Sequence, residues 1–402
     1  MKILHVVPTY FPAVRYGGPI FSVHGLCAGQ VKSGHDVSVY TTDVDGPDSL
    51  DVPIDREVDL DGVKVNYFKA NQTEQGWSRR LYRSTAMADA LRESINTFDV
   101  VHLHSIYLWP TWFAARQASR QNVPYVLSPR GMLVKELIQQ KSTWLKRAWL
   151  LLIERKNIQY AAALHYTSER EKTDASRYVK QNREHDFVLP NGVGLNQTVG
   201  SQLMKQFSET LNEKLNESTR NANEVLYLGR VNWKKGLERL ISAIENLPEA
   251  RLVIAGNDEG GYSKTLEQII HNKKLQNRIE LLGFVDGETK QNLLSSATLL
   301  VLCSDNENFG NVVLEAMAMA MPVVVTPSIG AAEVVQKHQA GIVSQETPQM
   351  LADSIQKLLN DPVLRQRLGE NGRQAAHYHF SWDAIASTMV NHYESILKSL
   401  RQ

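Results

Sequence analysis

The chain has 402 residues, more than the roughly 250–300 at which a single hydrophobic core stops growing, so two domains are expected. Hydrophobic residues make up 43%, enough for packed cores, and a formal net charge of +1 with no RNP-like or zinc-finger pattern excludes the global footprint of a nucleic-acid binder. Only Cys27 and Cys303 occur, far apart and without metal-like spacing, which excludes a disulfide framework and points to a reduced compartment and two buried small apolar residues.

From the amino terminus, one lysine and a short Ile3 to Val7 run stop at Pro8, too little for a signal peptide or a spanning helix. A cytoplasmic protein is expected, and the Asn-x-Ser/Thr triplets at Asn71, Asn196 and Asn216 need no glycan. Strand-like segments at Lys2 to Val7, Asp36 to Thr41, Val63 to Phe68, Asp99 to His104 and Pro124 to Ser128 alternate with helical stretches. Tyr160 to Thr167 and Asp186 to Pro190 extend a mostly parallel sheet. Gly17 and Gly18 follow the first strand and let backbone approach a ligand closely. They do not form Gly-x-Gly-x-x-Gly, so Asp43, the acid a dinucleotide-binding oxidoreductase would want, lacks its glycine fingerprint. Asp43-Val-Asp45 and Asp59-Leu-Asp61 have the look of metal-binding pairs, but such short pairs recur by chance and no metal is assigned to them.

His102 and His104 lie two apart on one side of a strand, with Leu103 on the other. His102 reads as a buried residue; His104, nearer the strand end, is a candidate contact for acceptor or sugar. Arg130 follows the next strand. A guanidinium cannot serve as general base, which leaves it to hold phosphate or stabilise charge. Ser168 and Glu169 follow a further strand and are acceptor-side candidates, while Asn191-Gly192 reads as a hinge turn. Residues 130–156 carry seven basic and two acidic residues, a local +5, among Met132, Leu133, Trp144, Trp149, Leu152 and Ile153. That mixture suits reversible contact with an anionic membrane surface; the alternative is an amphipathic helix packing Trp149, Leu152 and Ile153 on the first domain.

Polar residues dominate 196–224, the best linker. A second alternating series follows: Val225 to Gly229, Arg251 to Ala255, Arg278 to Leu282, Thr298 to Cys303, Pro322 to Thr326 and Gly341 to Ser344. Doubly wound sheets bind ligands beyond the carboxyl ends of their strands, which is where the charged motifs fall. Arg230 and Lys235 flank the end of the first of these strands, a planar fork and a compact charge able to neutralise a departing nucleoside diphosphate. Glu307-Asn-Phe-Gly-Asn-Val-Val-Leu-Glu315 sets two carboxylates around a Phe-Gly turn that opens a helix, read as Val312 to Ala320. The helix start suits a diphosphate. Glu315, about 6 Å along the helix at 1.5 Å per residue, is deep enough to accept hydrogen bonds from ribose hydroxyls, and Glu307 on the loop is free to face the sugar. Ser381 to Leu400 reads as a last helix.

Together these pieces resemble the family 4 retaining glycosyltransferases of GT-B fold, which share Gly-Arg, Lys-Gly and two glutamates separated by seven residues. The likeness extends to Gly17-Gly18, the Gly34-His35-Asp-Val-Ser-Val39 turn and strand, Asp99-Val-Val-His-Leu-His104, Ser128-Pro-Arg-Gly-Met132, Leu189-Pro-Asn-Gly-Val193 and Gly283-Phe284. The resemblance implies an α/β, GT-B architecture: two Rossmann-like domains facing a central cleft, with the C-terminal helix crossing back to the first. Its parts are an acceptor domain over 1–195 with about 381–402, a linker at 196–224 and a donor domain over 225–380. It further implies that Arg230 and Lys235 hold the diphosphate and Glu315 the ribose. Glu307 and the backbone of Asn308, Phe309, Gly310, Asn311 and Val312 would hold sugar and phosphate, Gly283 and Phe284 the base, and Gly17 and Gly18 the sugar diphosphate or acceptor. Relatives carry histidine at the position of Arg130, where it lines the reaction centre.

The activity so implied is a metal-independent hexosyltransfer with retention, from a nucleoside diphosphate sugar, UDP in preference to GDP, to a glycan or lipid-linked acceptor in surface polysaccharide or lipopolysaccharide assembly. No cofactor or nucleic acid is required, and the place is the cytoplasm or the cytoplasmic face of the inner membrane. A front-face route, in which a leaving phosphate oxygen helps deprotonate the acceptor, needs no protein base and tolerates Arg130. Double displacement would need a carboxylate at the anomeric carbon, for which Glu307 is the motif acid. A GT-B sugar-nucleotide epimerase and a non-catalytic nucleotide-sugar-binding protein are the alternatives.

Overall fold

The computed structural model describes residues 1–13, 17–54, 56–71, 81–133, 154–178, 184–194, 223–258, 260–285 and 287–401. Most of the basic segment 130–156 and of the linker 196–224, with Asn196 and Asn216, lies outside the described residues. The chain divides into two compact units, Met1–Gly192 with Trp382–Gln402, and Val193–Ser381.

The first unit is built on strands β1 (Lys2–Val6), β2 (Asp36–Thr42), β5 (Val58–Leu60), β6 (Val63–Phe68), β7 (Val100–His104), β8 (Tyr125–Ser128), β9 (Ala163–Tyr166) and β10 (Phe187–Val188). Their order in the sheet is β10-β9-β8-β7-β1-β2-β6-β5, and every neighbouring pair is parallel except β5 with β6. A small antiparallel pair, β3 (Val44–Asp45) and β4 (Asp48–Ser49), stands apart. Central strands covered on both faces need continuous apolar runs, and all five residues of β7 are buried. Toward the edge, β6 alternates buried and half-buried positions, as a strand with one wetter face should.

The chain's last helix, Trp382–Leu400, belongs to this unit and packs on the helix Gly18–Lys32. Two glycines let it come close. A Cβ at Gly25 would lie 2.1 Å from Trp382 Cε2, and one at Gly192 would lie 2.5 Å from Trp382 Cε3, so the indole fills the space that both side chains vacate.

The second unit has a six-stranded, wholly parallel sheet: β11 (Glu224–Leu228), β12 (Arg251–Ala255), β13 (Ile279–Gly283), β14 (Leu299–Leu302), β15 (Val323–Val325) and β16 (Gly341–Val343). Its order is β13-β12-β11-β14-β15-β16. The helix Leu237–Glu245 buries Leu237, Leu240, Ile241 and Ile244, a 3.6-residue stripe whose fully buried aliphatics contribute roughly 1.5–3 kcal/mol each. Both units are therefore doubly wound α/β structures. Glu224, assigned above to the linker, begins β11, and the helix expected over Val312 to Ala320 runs Asn311–Ala318. Among the described residues no helix is long and apolar enough to cross a membrane.

Candidate active site

In the second unit the strand order reverses between β11 and β14, which lie side by side while their successors run to opposite edges. Such a switch point opens a crevice at the carboxyl ends of the two strands. The motif residues sit on the loops leaving them. Arg230 is exposed just beyond β11, its carbonyl held by the Tyr227 hydroxyl, which donates at 3.0 Å. A short helical turn, Trp233–Lys235, starts where the Asn232 side chain accepts the Lys234 N–H at 3.0 Å. Gly236 then turns at φ 66°, and a Cβ there would lie 2.3 Å from the Cys303 carbonyl. Only glycine allows the loops after β11 and β14 to close this far.

Further bonds stitch the same two loops. Asp305 N–H donates to the Lys234 carbonyl at 2.8 Å, and Arg239 Nη2 donates to both the Cys303 carbonyl and Asp305 Oδ1 at 2.7 Å. The result is an ion pair between Lys235 Nζ and Glu307 Oε2, with the lysine side chain only 10% exposed and the carboxylate 24%. Glu307 therefore answers the charge of Lys235 through one of its two oxygens. Lys234, a solvated loop charge from the sequence, has its ammonium 5.3 Å over the exposed Trp233 ring.

Beyond Glu307 the loop leans on the one after β15. Glu307 N–H donates to the Ser328 carbonyl at 3.2 Å, Gly330 N–H to the Glu307 carbonyl at 3.0 Å and Ala331 N–H to the Phe309 carbonyl at 2.8 Å. Phe309 is 2% exposed, so its ring serves the core. Gly310, at φ 89°, turns the chain into the helix Asn311–Ala318, whose first turn carries no side-chain cap and no acid. Asn308, Asn311 and Val312 are half-buried around that start. Glu315, one turn in, pairs with Lys290 Nζ at 2.6 Å, a partner with no signal in the sequence. At the end of β13, Gly283 has φ 72° and Phe284 is 59% exposed.

In the first unit the order reverses between β1 and β7. Here the side chains form buried hydrogen-bonded chains. Arg130 Nη2 lies 3.0 Å from His104 Nδ1, His104 Nε2 lies 2.9 Å from His5 Nδ1, and His5 Nε2 lies 2.8 Å from Gln30 Oε1. Because arginine only donates, His104 and His5 each accept at Nδ1 and donate at Nε2, which assigns both tautomers. A second chain runs from Tyr393 of the last helix to His102 Nδ1 at 2.6 Å. It continues from His102 Nε2 to Ser128 Oγ at 2.7 Å, from there to His165 Nδ1 at 2.7 Å, and ends from His165 Nε2 on the Leu189 carbonyl at 2.9 Å.

Burial pushes His5 down to about 4 and His165 to about 3, and holds His102 and His104 well below the usual imidazole value, with the Arg130 charge adding to each. All four are neutral at pH 7. Ligating atoms of His5, His102 and His104 lie within 4.8 Å of one another, yet each nitrogen is committed and a guanidinium adjoins His104, so the trio is ill suited to a dication. His104 is 2% exposed, with its nitrogens engaged by Arg130 and His5.

Ser168 accepts the Glu171 N–H at 3.1 Å as cap of the helix Glu169–Ala175. Glu169 is exposed, while Glu171, which the sequence did not single out, is buried and bonds Gly131 and Thr167. The aspartate pairs also have protein partners: Asp43 takes the Ala70 N–H at 2.7 Å, Asp59 the Gly62 N–H at 2.9 Å, and Asp61 pairs with His24 at 2.9 Å. Gly17, at φ 68°, leads into the helix Gly18–Lys32, and a Cβ on it would meet nothing within 4 Å.

Residues 17–192 match the glycosyl transferase 4-like domain and residues 208–375 the glycosyl transferases group 1 model. The chain is 27% identical to an uncharacterized glycosyltransferase of Methanocaldococcus jannaschii, with 100% of both chains covered. It is 25% identical to the GDP-mannose:cellobiosyl-diphosphopolyprenol alpha-mannosyltransferase of Xanthomonas oryzae pv. oryzae, over 99% of this chain and 97% of that one. Among solved structures, HepE of Anabaena in complex with UDP and glucose superposes with a TM-score of 0.70 at 21% identity, covering 98% of this chain and 100% of that one. Two doubly wound units carrying these loops define a GT-B glycosyltransferase. The chain belongs to the group 1, family 4 type of these enzymes.

Proposed function

We propose that this glycosyltransferase uses a nucleoside diphosphate sugar, UDP in preference to GDP, and transfers the sugar with retention to a glycan or lipid-linked acceptor of surface polysaccharide. The observation that carries the reading is the switch point of the second unit, where Arg230, the Lys235–Glu307 pair and the uncapped start of helix Asn311–Ala318 converge. A diphosphate there meets two cations and the positive end of the helix dipole, and Glu315 lies one turn deeper at the distance suited to ribose. Leaving-group charge is then met by Arg230, Lys235 and backbone dipoles, so departure requires no divalent ion. Glu307, already holding Lys235, orients that ammonium and offers its second oxygen to the sugar; a front-face transfer follows. The Xanthomonas protein and HepE lend support for a lipid-diphosphate acceptor and for UDP, respectively.

Calorimetric titration of UDP, GDP, ADP and TDP without added metal tests this, in wild type and Arg230→Ala. Tight binding of UDP that is lost in the variant is expected. Failure of all four nucleotides to bind folded protein, with or without magnesium, would overturn the donor reading. Acceptor-dependent release of UDP separates a transferase from an epimerase or a binding protein.

A further inference from the structure

We propose that Arg130 is a receptor for an oxyanion carried by the substrate, a carboxylate or a phosphate, at the carboxyl end of β8. The proposal deepens the function just given, and it relies on that function only for calling the ligand a substrate.

The backbone around Arg130 is held in an unusual state. Ser105 (φ 78°), Tyr107 (φ 64°) and Arg130 (φ 55°), none of them glycine, adopt left-handed conformations on the loops leaving the adjacent strands β7 and β8. Each costs of order 1–3 kcal/mol and persists only where the surroundings impose it. Two buried carboxylates do so here: Glu154 accepts the Tyr107 N–H at 2.8 Å, and Glu171 accepts the Gly131 N–H at 2.6 Å. The turn thus fixes where the Arg130 side chain leaves the backbone.

Its charge is directed but not quenched by a bonded carboxylate. The two hydrogen bonds of the guanidinium go to neutral acceptors, Asn191 Oδ1 at 3.0 Å and His104 Nδ1 at 3.0 Å. Glu171 spends its oxygens on Gly131 and Thr167 instead. The chain through His104, His5 and Gln30 can run in only one direction, so His104 presents a lone pair to Arg130 and clamps one edge of the fork. Two of its five N–H groups are so used, Nε is buried without a partner, and a planar fork matches the two oxygens of a carboxylate or phosphate.

The test is side-chain NMR on arginine-labelled full-length protein, with the Arg130 resonance assigned by its loss in Arg130→Lys. Inorganic phosphate, glucuronate and, as the neutral control, glucose are titrated. A saturable shift of Arg130 with either anion but not with glucose is expected, weakened at least about tenfold in Arg130→Met when read from neighbouring backbone signals. Preference for phosphate assigns the source to a phosphorylated acceptor, and preference for glucuronate assigns it to an acidic sugar. No response to either anion, or an equal response to glucose, would overturn the proposal. Arg130→Lys reports whether a loss in Arg130→Met is mere unfolding. UDP titrated into the same samples reads the second unit, so failure of the donor reading is seen separately.

Discussion

Lys235 and Glu307, 72 residues apart in the chain, form an ion pair across the loops that leave neighbouring strands β11 and β14. Neither charge is fully wet, and each is the other's bonded counter-ion. An anion entering this loop pair would compete with Glu307 for Lys235.

That relationship makes a double-mutant cycle informative. Lys235→Met alone strands a part-buried carboxylate and is expected to cost roughly 1–3 kcal/mol of unfolding free energy. Lys235→Met combined with Glu307→Gln should recover part of this loss in urea denaturation. Strict additivity would mean that the pair does not couple.

Arg230 is exposed, so truncating its side chain empties no buried space. Arg230→Ala should therefore melt within about 1 °C of wild type while losing at least about a hundredfold in kcat/KM for sugar transfer. Equal activity in the variant would remove Arg230 from the site.

Gly310 turns at φ 89°, and a Cβ there would lie 2.9 Å from Leu302 Cδ2 and 3.2 Å from Ile329 Cγ2. Gly310→Ala is expected to destabilise by roughly 1–3 kcal/mol and to weaken nucleotide binding together with it, because the same turn aims the helix start. Calorimetric melting with and without UDP checks both effects.

Acid sensitivity should come from the first unit. His5 and His165 have folded values of about 4 and about 3 against 6.5 for the free side chain. Between those limits the unfolded chain binds more protons, so stability is present above pH about 6.5 and is lost as pH falls toward 4. Urea midpoints measured from pH 7.5 down to 4.5 should drop, and less steeply in His165→Asn. A flat profile would show that these imidazoles stay wet.

Tyr393 donates to His102 from 291 residues away and anchors the last helix to β7. Tyr393→Phe keeps the ring and removes the donor, leaving His102 Nδ1 buried without a partner, at a cost of about 1–3 kcal/mol. Hydrogen exchange should show the helix Trp382–Leu400 opening more often in the variant.

The strands and the loops after β11 and β14 were legible because their signals are local. Leu299–Leu302 is a buried strand among apolar neighbours, and Gly310 marks the turn before a helix within eight residues of Glu307. The partners of His104 and Ser168 were not legible: both follow strands, and only the folded chain shows that one joins a histidine chain and the other caps a helix. Glu171 was passed over because, four residues from Thr167 in a polar stretch, it is locally indistinguishable from a solvated helix acid.

By itself the sequence determined the alternation of strands and helices in two units, the glycine turns and the placing of Arg230, Lys235, Glu307 and Glu315 beside strand ends. Apolar periodicity and backbone-conformation preferences act over a few residues and can be read from a few residues. Tertiary structure alone decided that Lys235 answers Glu307, that Lys290 answers Glu315, and that His5, 99 residues from His104, directs it toward Arg130. Those pairings depend on which strands become neighbours, and strand order follows from how whole sheets bury their two faces rather than from any local pattern.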